Sequence, residues 1–244
     1  MSSCLETKLC FEEINFQKAT YPAIILAAGS ATRMKGIDKN FTEIGGRPVV
    51  VRTVEVFDNS DDISEIILVT RSDKTDELRE LLTDYSFKKQ ITVTAGGSSR
   101  EESALLGIKS LGDKYSKVII HDGARPFVEQ AIISRICEAL KTNDSVSCGV
   151  PEKSTIKVVN EDWQVVKALR RASLVSLQTP QGVAIAPFLK SASVNDLAVF
   201  TDDTSVVEAV GVTTQIVEGS YKNIKITTPE DIVIAEAYLK GEAL

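Results

Sequence analysis

The run Ala27-Ala28-Gly29-Ser30-Ala31-Thr32-Arg33-Met34, with Lys39 shortly after it, stands at the end of an apolar stretch. Side chains this small let a backbone come close to a nucleotide, and the N–H groups of such a turn can hold phosphate oxygens. Arg33 and Lys39 would then neutralise a triphosphate. Neither GxxxxGKS/T nor GxGxxG after a strand occurs. Taken alone, the loop could equally be a strand-to-helix connection with solvated basic residues. A second run, Gly96-Gly97-Ser98-Ser99-Arg100-Glu101-Glu102-Ser103, combines a tight turn with serines that can cap a helix. It reads either as a helix start or as a turn that binds base and ribose.

A third run, His121-Asp122-Gly123-Ala124-Arg125-Pro126, puts a carboxylate at the end of an expected strand. Such a residue suits Mg2+, which takes few carboxylates and completes its shell with phosphates and water. Arg125 would share that rim. His121 is the only histidine of the chain. It is read as a strand residue with a local hydrogen bond, not as a general base, which leaves a Ser/His/Asp hydrolase without its base. The C-terminal half adds Thr155, Arg171, Thr179, Thr201-Asp202-Asp203 and Lys225. Hydroxyls and cations of this kind suit a polyol phosphate, although each residue singly could serve a surface or a cap. Thr228-Pro229-Glu230-Asp231 reads as a plain helix start, with Thr228 as cap and Pro229 at the first helical position.

These residues need a frame, and the order of elements supplies one. Strands are expected at Ala23 to Leu26, Glu65 to Thr70, Ile91 to Thr94, Lys117 to His121 and Ser145 to Val150. Helices are expected over Arg47 to Phe57, Asp73 to Thr83, residues 99–110 and Gln130 to Lys141. Alternation of this kind implies an α/β fold whose mostly parallel central sheet is covered by helices. Ligands of such sheets gather beyond the carboxyl ends of the strands, where Ala-Ala-Gly, Gly-Gly and Asp122 would lie. The segment from Pro151 to Ser173 breaks the pattern. Thr155 to Val159 and Gln164 to Ala168 read as a hairpin joined by Asn160 to Trp163. A lone hairpin is poorly stable in water, so it is expected to pack on something: as an arm projecting onto a partner subunit, the preferred reading, or lying flat on its own domain.

With 244 residues, 43% of them hydrophobic, the chain can fill one α/β core. The expected organisation is an N-terminal extension over 1–20 and a single domain over 21–240, with 151–173 as the arm. A net charge of −6 argues against a general nucleic-acid binder. The N-terminus carries Glu6, Glu12 and Glu13 and no long apolar core, unlike a signal peptide. No stretch reaches the ~20 apolar residues of a membrane helix. The four cysteines form no CxxC pair. Cys137 and Cys148 are expected as buried thiols in a cytoplasmic protein.

The ordered set of motifs, from about Pro22 to Leu239, resembles the 2-C-methyl-D-erythritol 4-phosphate cytidylyltransferase family. Leu-Ala-Ala-Gly with Arg33-Met34 comes first, then Lys39, then Gly-Gly with Arg100 and Ser103. His-Asp-Gly-Ala-Arg-Pro-Phe follows at 121–127, Gln-Thr-Pro-Gln at 178–181, Thr-Asp-Asp at 201–203 and Asn-Ile-Lys-Ile-Thr at 223–227. The resemblance implies a seven-stranded Rossmann-like nucleotidyltransferase core and a homodimer joined by the arm. It implies CTP held by Ala27, Ala28, Gly29, Gly97 and Ser103, with Gly123 nearby. Arg33 and Lys39 would act on the triphosphate, Asp122 would hold Mg2+, and Lys225 would bridge phosphates near it. The polyol phosphate would meet Asp122, Arg125, Thr179, Thr201 and Asp202, with Thr155 and Arg171 supplied by the neighbouring subunit. Arg170 competes with Arg171 for that role. Ala31, Asn40, Gly123 and a shortened segment between Arg33 and Lys39 depart from the family pattern without removing a required charge.

The chemistry so implied is an in-line displacement. A phosphate oxygen of methylerythritol phosphate attacks the α-phosphorus of CTP and pyrophosphate leaves, with no covalent intermediate and no general base. The nearest alternative is a ribitol-5-phosphate cytidylyltransferase, with the same CTP loops and another polyol pocket. A further one, of a different class, is a non-catalytic nucleotide-binding protein on the same fold.

Overall fold

The computed structural model describes residues 20–29 and 38–241. The first strand, β1 (Tyr21–Leu26), is followed by the two-residue strands β2 (Glu43–Ile44) and β3 (Arg47–Pro48) and by α1 (Val49–Asp58). Next come β4 (Ile63–Thr70), α2 (Thr75–Thr83), β5 (Ile91–Ala95), α3 (Arg100–Ser110), β6 (Lys117–Asp122), α4 (Gln130–Leu140) and β7 (Ser145–Pro151). The hairpin β8 (Lys157–Val159) and β9 (Val165–Ala168) leads into β10 (Val175–Ala184), α5 (Ile185–Val194), α6 (Asp203–Glu208), β11 (Gln215–Glu218) and α7 (Pro229–Lys240).

Seven strands form one sheet in the order β11-β7-β10-β6-β1-β4-β5. Only β10 runs against its neighbours, antiparallel to β6 and to β7. The expected mostly parallel sheet is therefore present, and all its parallel strands point their carboxyl ends at one rim. The period-two alternation of strand side chains divides the core in two. Ala23, Ile25, Ile66 and Leu68 face α1 and α4, against Val54, Phe57 and Ile133. Ile24, Ile67 and Val69 face α3, α5 and α6, against Ile108, Phe188 and Val207. Burying each large aliphatic side chain contributes roughly 1.5–3 kcal/mol, so the rim rests on a rigid slab.

Three departures from the expected elements have local causes. Arg47 does not begin a helix. It lies in β3, because a residue before proline is pushed out of the helical region, and Pro48 itself is extended (φ −56°, ψ 140°). The turn between β2 and β3 is Gly45-Gly46, with φ 54° and 70°, the left-handed pair that a two-residue hairpin needs. The sequence does not announce strand β10, because Pro180 sits inside it and proline is rare in central strands. The structure accommodates Pro180 at a register shift between Gln178 and Gln181, next to a cis Thr179–Pro180 bond.

The hairpin forms as a separate two-stranded sheet, shorter at its start than expected. Residues 153–168 are all exposed. They include Trp163 at 85%, Val165 at 62% and Val166 at 66% exposure. Cys137 and Cys148 are free and buried, as expected; burial pushes the Cys148 thiol up to about 12. No helix among the described residues is long and apolar enough to cross a membrane. The extension expected over 1–20 lies almost wholly outside the described residues.

Candidate active site

A cleft of about 700 Å³ opens on the carboxyl rim. Its floor is the end of β1, and its walls are the loops after β4, β5 and β6. Ala28, Gly29, Lys39, Gly97, Ser103, Asp122 and Lys225 all line it. Seven of the residues proposed from sequence thus meet in one cavity, although they come from distant parts of the chain. Arg33, by contrast, lies outside the described residues.

Asp122 is the last residue of β6 and is 6% exposed. Its Oδ1 accepts from Arg100 Nε at 3.0 Å. Its Oδ2 lies 2.7 Å from Lys225 Nζ and 3.6 Å from Arg125 Nε. Burial alone would push this carboxyl up. Arg100, Lys225 and Arg125 outweigh it and hold the group well below the usual carboxylate range. An ionised carboxylate ringed by three cations therefore stands at the rim.

Arg100 does more than pair with Asp122. Its Nη2 lies 2.7 Å from Oδ2 of Asp203, a residue with no exposed surface. Burial pushes the Asp203 carboxyl up against the pull of Arg100. Arg100 Nη1 and Asp203 Oδ1 are buried without a hydrogen-bond partner among the described residues. Gln181 joins the network, accepting from the Asp203 N–H at 2.9 Å and donating to Asp202 at 3.2 Å.

The loops after β1 and β5 touch. A methyl group on Gly96 would come 2.7 Å from Ser103 Oγ and 2.9 Å from the Ala28 side chain, so only glycine fits there. Ser103 Oγ accepts from the Gly97 N–H at 3.1 Å and donates to Ser99 O at 2.8 Å. Ser99 caps α3 through the Glu102 N–H. Asn40 donates to Ala27 O at 2.8 Å and fixes the β1 loop from behind. Ala27 and Gly123 are its supports; Thr53 donates to Gly123 O at 2.8 Å.

His121 is fully buried. Its Nε2 lies 3.1 Å from Arg125 O, which can only accept, so Nε2 carries the proton. Nδ1 then accepts from the Thr179 hydroxyl at 3.0 Å, and that hydroxyl accepts from the Asp122 N–H at 3.0 Å. Thr179, read from sequence as a contact of the polyol phosphate, thus spends its hydroxyl on holding Asp122. Burial drives His121 down to about 3. A histidine kept neutral in this way stabilises the fold above its unfolded pKa of about 6.5, and that stability is lost as pH falls from there towards 3. Urea unfolding should show stability dropping by ~1 kcal/mol or more between pH 6.5 and 5. In His121→Gln the slope in that window should flatten, and an unchanged slope would remove His121 as its source.

The other expected polyol contacts are spread out. Arg125 Nη1 donates to Asn223 O at 2.7 Å beside Asp122. Asp202 caps α6, accepting from the Ser205 N–H at 2.8 Å. Thr201, Thr155 and Arg171 are exposed, and none of the three lines the cleft within this chain. Arg171 donates to Lys153 O at 3.2 Å on the hairpin. From the sequence, Arg100, Asp203 and Gln181 stand inside motifs without a role of their own, and Arg71 stands in none. Arg71 lines the cleft and pairs with Asp73 at 2.7 Å. Strand ends mark Arg71 and Asp73 in retrospect; nothing local marks the Arg100–Asp203 pair.

No group of three or more His, Cys, Asp or Glu among the described residues is placed to hold a metal. That excludes an all-protein cage there. It leaves the kind of site Mg2+ uses, one hard carboxylate completed by phosphates and water, and ionised Asp122 on the cleft wall fits that role.

The family model for 2-C-methyl-D-erythritol 4-phosphate cytidylyltransferase matches residues 22–241. A relative of that name from Bacillus licheniformis is 40% identical over 225 residues, 91% of this chain and 96% of the relative. One from Dehalococcoides mccartyi strain 195 is 40% identical over 218 residues, 89% of this chain and 95% of its own. The crystal structure of 4-diphosphocytidyl-2C-methyl-D-erythritol synthase from Anaerococcus prevotii superposes with a TM-score of 0.79 at 33% identity, over 91% of this chain and 97% of that one. The 2-C-methyl-D-erythritol 4-phosphate cytidylyltransferase of Francisella tularensis gives 0.75 at 28% identity, over 89% and 98%.

Proposed function

We propose a mechanism for this chain, which belongs to the 2-C-methyl-D-erythritol 4-phosphate cytidylyltransferase family. As a member it transfers CMP from CTP to 2-C-methyl-D-erythritol 4-phosphate, giving 4-diphosphocytidyl-2-C-methyl-D-erythritol and pyrophosphate. The family match does not favour the ribitol phosphate alternative.

The observation that carries the mechanism is the ionised Asp122 ringed by cations at the edge of the cleft. Ala28, Gly29, Gly97 and Ser103 take the cytidine, where the touching loops leave only backbone and small side chains. Lys39 takes the triphosphate from the β1 side and Lys225 from the β6 side, and Arg33 adds its charge to the same triphosphate. Asp122, with the phosphates of CTP, would hold Mg2+, which supplies charge neutralisation on the triphosphate. The substrate phosphate is itself the nucleophile and attacks the α-phosphorus in line, so no base is required. A buried, neutral His121 with both nitrogens engaged agrees with that. Catalysis then rests on holding two anions together and neutralising the charge that builds on the α-phosphate and pyrophosphate.

Arg125, Thr201 and Asp202 face the polyol phosphate, while Thr179 acts through Asp122. Thr155 and Arg171 come from the arm of a second copy. Support for that dimer is the fully exposed hairpin with its outward Trp163, Val165 and Val166. The buried free thiols suit a cytoplasmic enzyme. Pyrophosphate release with CTP and Mg2+ tests the reading, with methylerythritol 4-phosphate and ribitol 5-phosphate in parallel. Release with the first alone is expected. Release with the second alone would move the substrate, and release with neither from folded protein would remove the mechanism. The same preparation should sediment as a dimer, and a fully active monomer would take the arm out of the site.

A further inference from the structure

Lys225 reaches the rim on the segment that follows β11. The backbone around it is pinned from several sides. Asn223 Nδ2 donates to Thr179 O at 2.8 Å, Arg125 Nη1 donates to Asn223 O at 2.7 Å, and the Ile226 N–H donates to Ala124 O at 2.8 Å. The Lys225 side chain, in contrast, is 32% exposed and leans over the cleft it lines. Its Nζ lies 2.7 Å from Asp122 Oδ2, while Arg100 Nε occupies Oδ1 at 3.0 Å. Each oxygen of Asp122 therefore already faces a cation.

Arg125 Nε stands farther from Oδ2, at 3.6 Å, and the two cations within hydrogen-bond distance are held differently. Arg100 is anchored at its far end by fully buried Asp203 at 2.7 Å and cannot leave without stranding that carboxylate. Lys225 has a flexible four-carbon stem and a partly exposed ammonium group, so it can change partners. Like charges a few ångströms apart repel strongly near a protein surface, so an ammonium on Oδ2 opposes a divalent cation there. A triphosphate offers that ammonium several anionic oxygens in the same cleft.

We propose that Lys225 is the resident counter-ion of Asp122 in the nucleotide-free protein and withholds that carboxylate from divalent cations. A nucleoside triphosphate draws the ammonium onto its phosphates and frees Oδ2, so that metal and nucleotide enter together. This rests on the reading of Asp122 as the metal-holding carboxylate and adds the residue that controls access to it.

The test is Mn2+ binding to the full-length protein, followed by electron paramagnetic resonance, with and without CTP. Wild-type protein should bind Mn2+ weakly alone and firmly with CTP. Without CTP, Lys225→Met should bind Mn2+ about tenfold tighter than wild type, or more. Lys225→Arg keeps the charge and should stay weak, and adding Asp122→Asn to Lys225→Met should erase the gain. Thermal unfolding checks that each variant folds, with Lys225→Gln as a second neutral variant. No gain in either neutral variant overturns the counter-ion role, even if Mn2+ with CTP still depends on Asp122. Failure of Mn2+ to bind wild-type protein with CTP overturns the metal assignment as well, so the two failures are separable.

Discussion

Replacing Lys39 with alanine should lower kcat by about 10²–10³ while leaving the unfolding midpoint near that of the wild type. Lys39 sits at the cleft wall, where a methyl group on Gly29 would come 3.7 Å from its Nζ. Its charge is thus held against the β1 turn proposed to hold the nucleotide. The side chain is only half-buried and belongs to no hydrophobic core cluster, so the fold is expected to survive its truncation, which thermal unfolding checks. Negative charge builds on the leaving pyrophosphate as the bond to the α-phosphorus breaks, so a cation there contributes more in the transition state than in the CTP complex. The loss should then fall on kcat more than on KM. Steady-state pyrophosphate release at saturating CTP reads both. Wild-type turnover in Lys39→Ala would defeat the mechanism, and Arg33→Ala is expected to behave in the same way.

Lys39 is one of the residues that the sequence marks well, and the reason is local. It follows a run of small residues at the end of an apolar strand, and both features lie within a short window. The same holds for Asp122, whose strand reads as a buried run from Val118 to Ile120, and for Gly97 and Ser103. Strands β1, β4 and β6 and helix α4 are legible because their apolar patterns are uninterrupted, and α3 because Gly96-Gly97 and the capping Ser99 mark its start. Strand β10 is hidden by Pro180, which its neighbours tolerate only through a register shift. Helix α6 has six residues and β11 four, too short to show a period. What the sequence conceals most thoroughly is the partner of a charge. Thr179 looks like a ligand contact until the fold brings it to the Asp122 N–H, 57 residues away. Arg100 looks like the first turn of a helix until Asp203 arrives from 103 residues further on.

That last pair yields the second large effect. Arg100→Met should cost about 3–5 kcal/mol of stability at neutral pH, because it leaves a buried carboxylate without its cation. Asp203 has no exposed surface, and Arg100 is its only salt-bridge partner among the described residues. Burial already pushes the Asp203 carboxyl up, and losing the guanidinium would push it further. A carboxyl raised in the folded state favours folding most below its unfolded pKa of about 3.9, and that contribution is lost as pH rises through the folded value. The deficit of Arg100→Met against wild type, read from urea unfolding, should therefore be largest near pH 7 and shrink towards pH 4. Adding Asp203→Asn removes the stranded charge and should restore most of the stability, the coupling expected of two groups in contact. Activity should not return with it, since Asp122 would still lack the cation on Oδ1. A double variant no more stable than Arg100→Met would mean that lost packing of the Arg100 stem, rather than an uncompensated Asp203, accounts for the deficit.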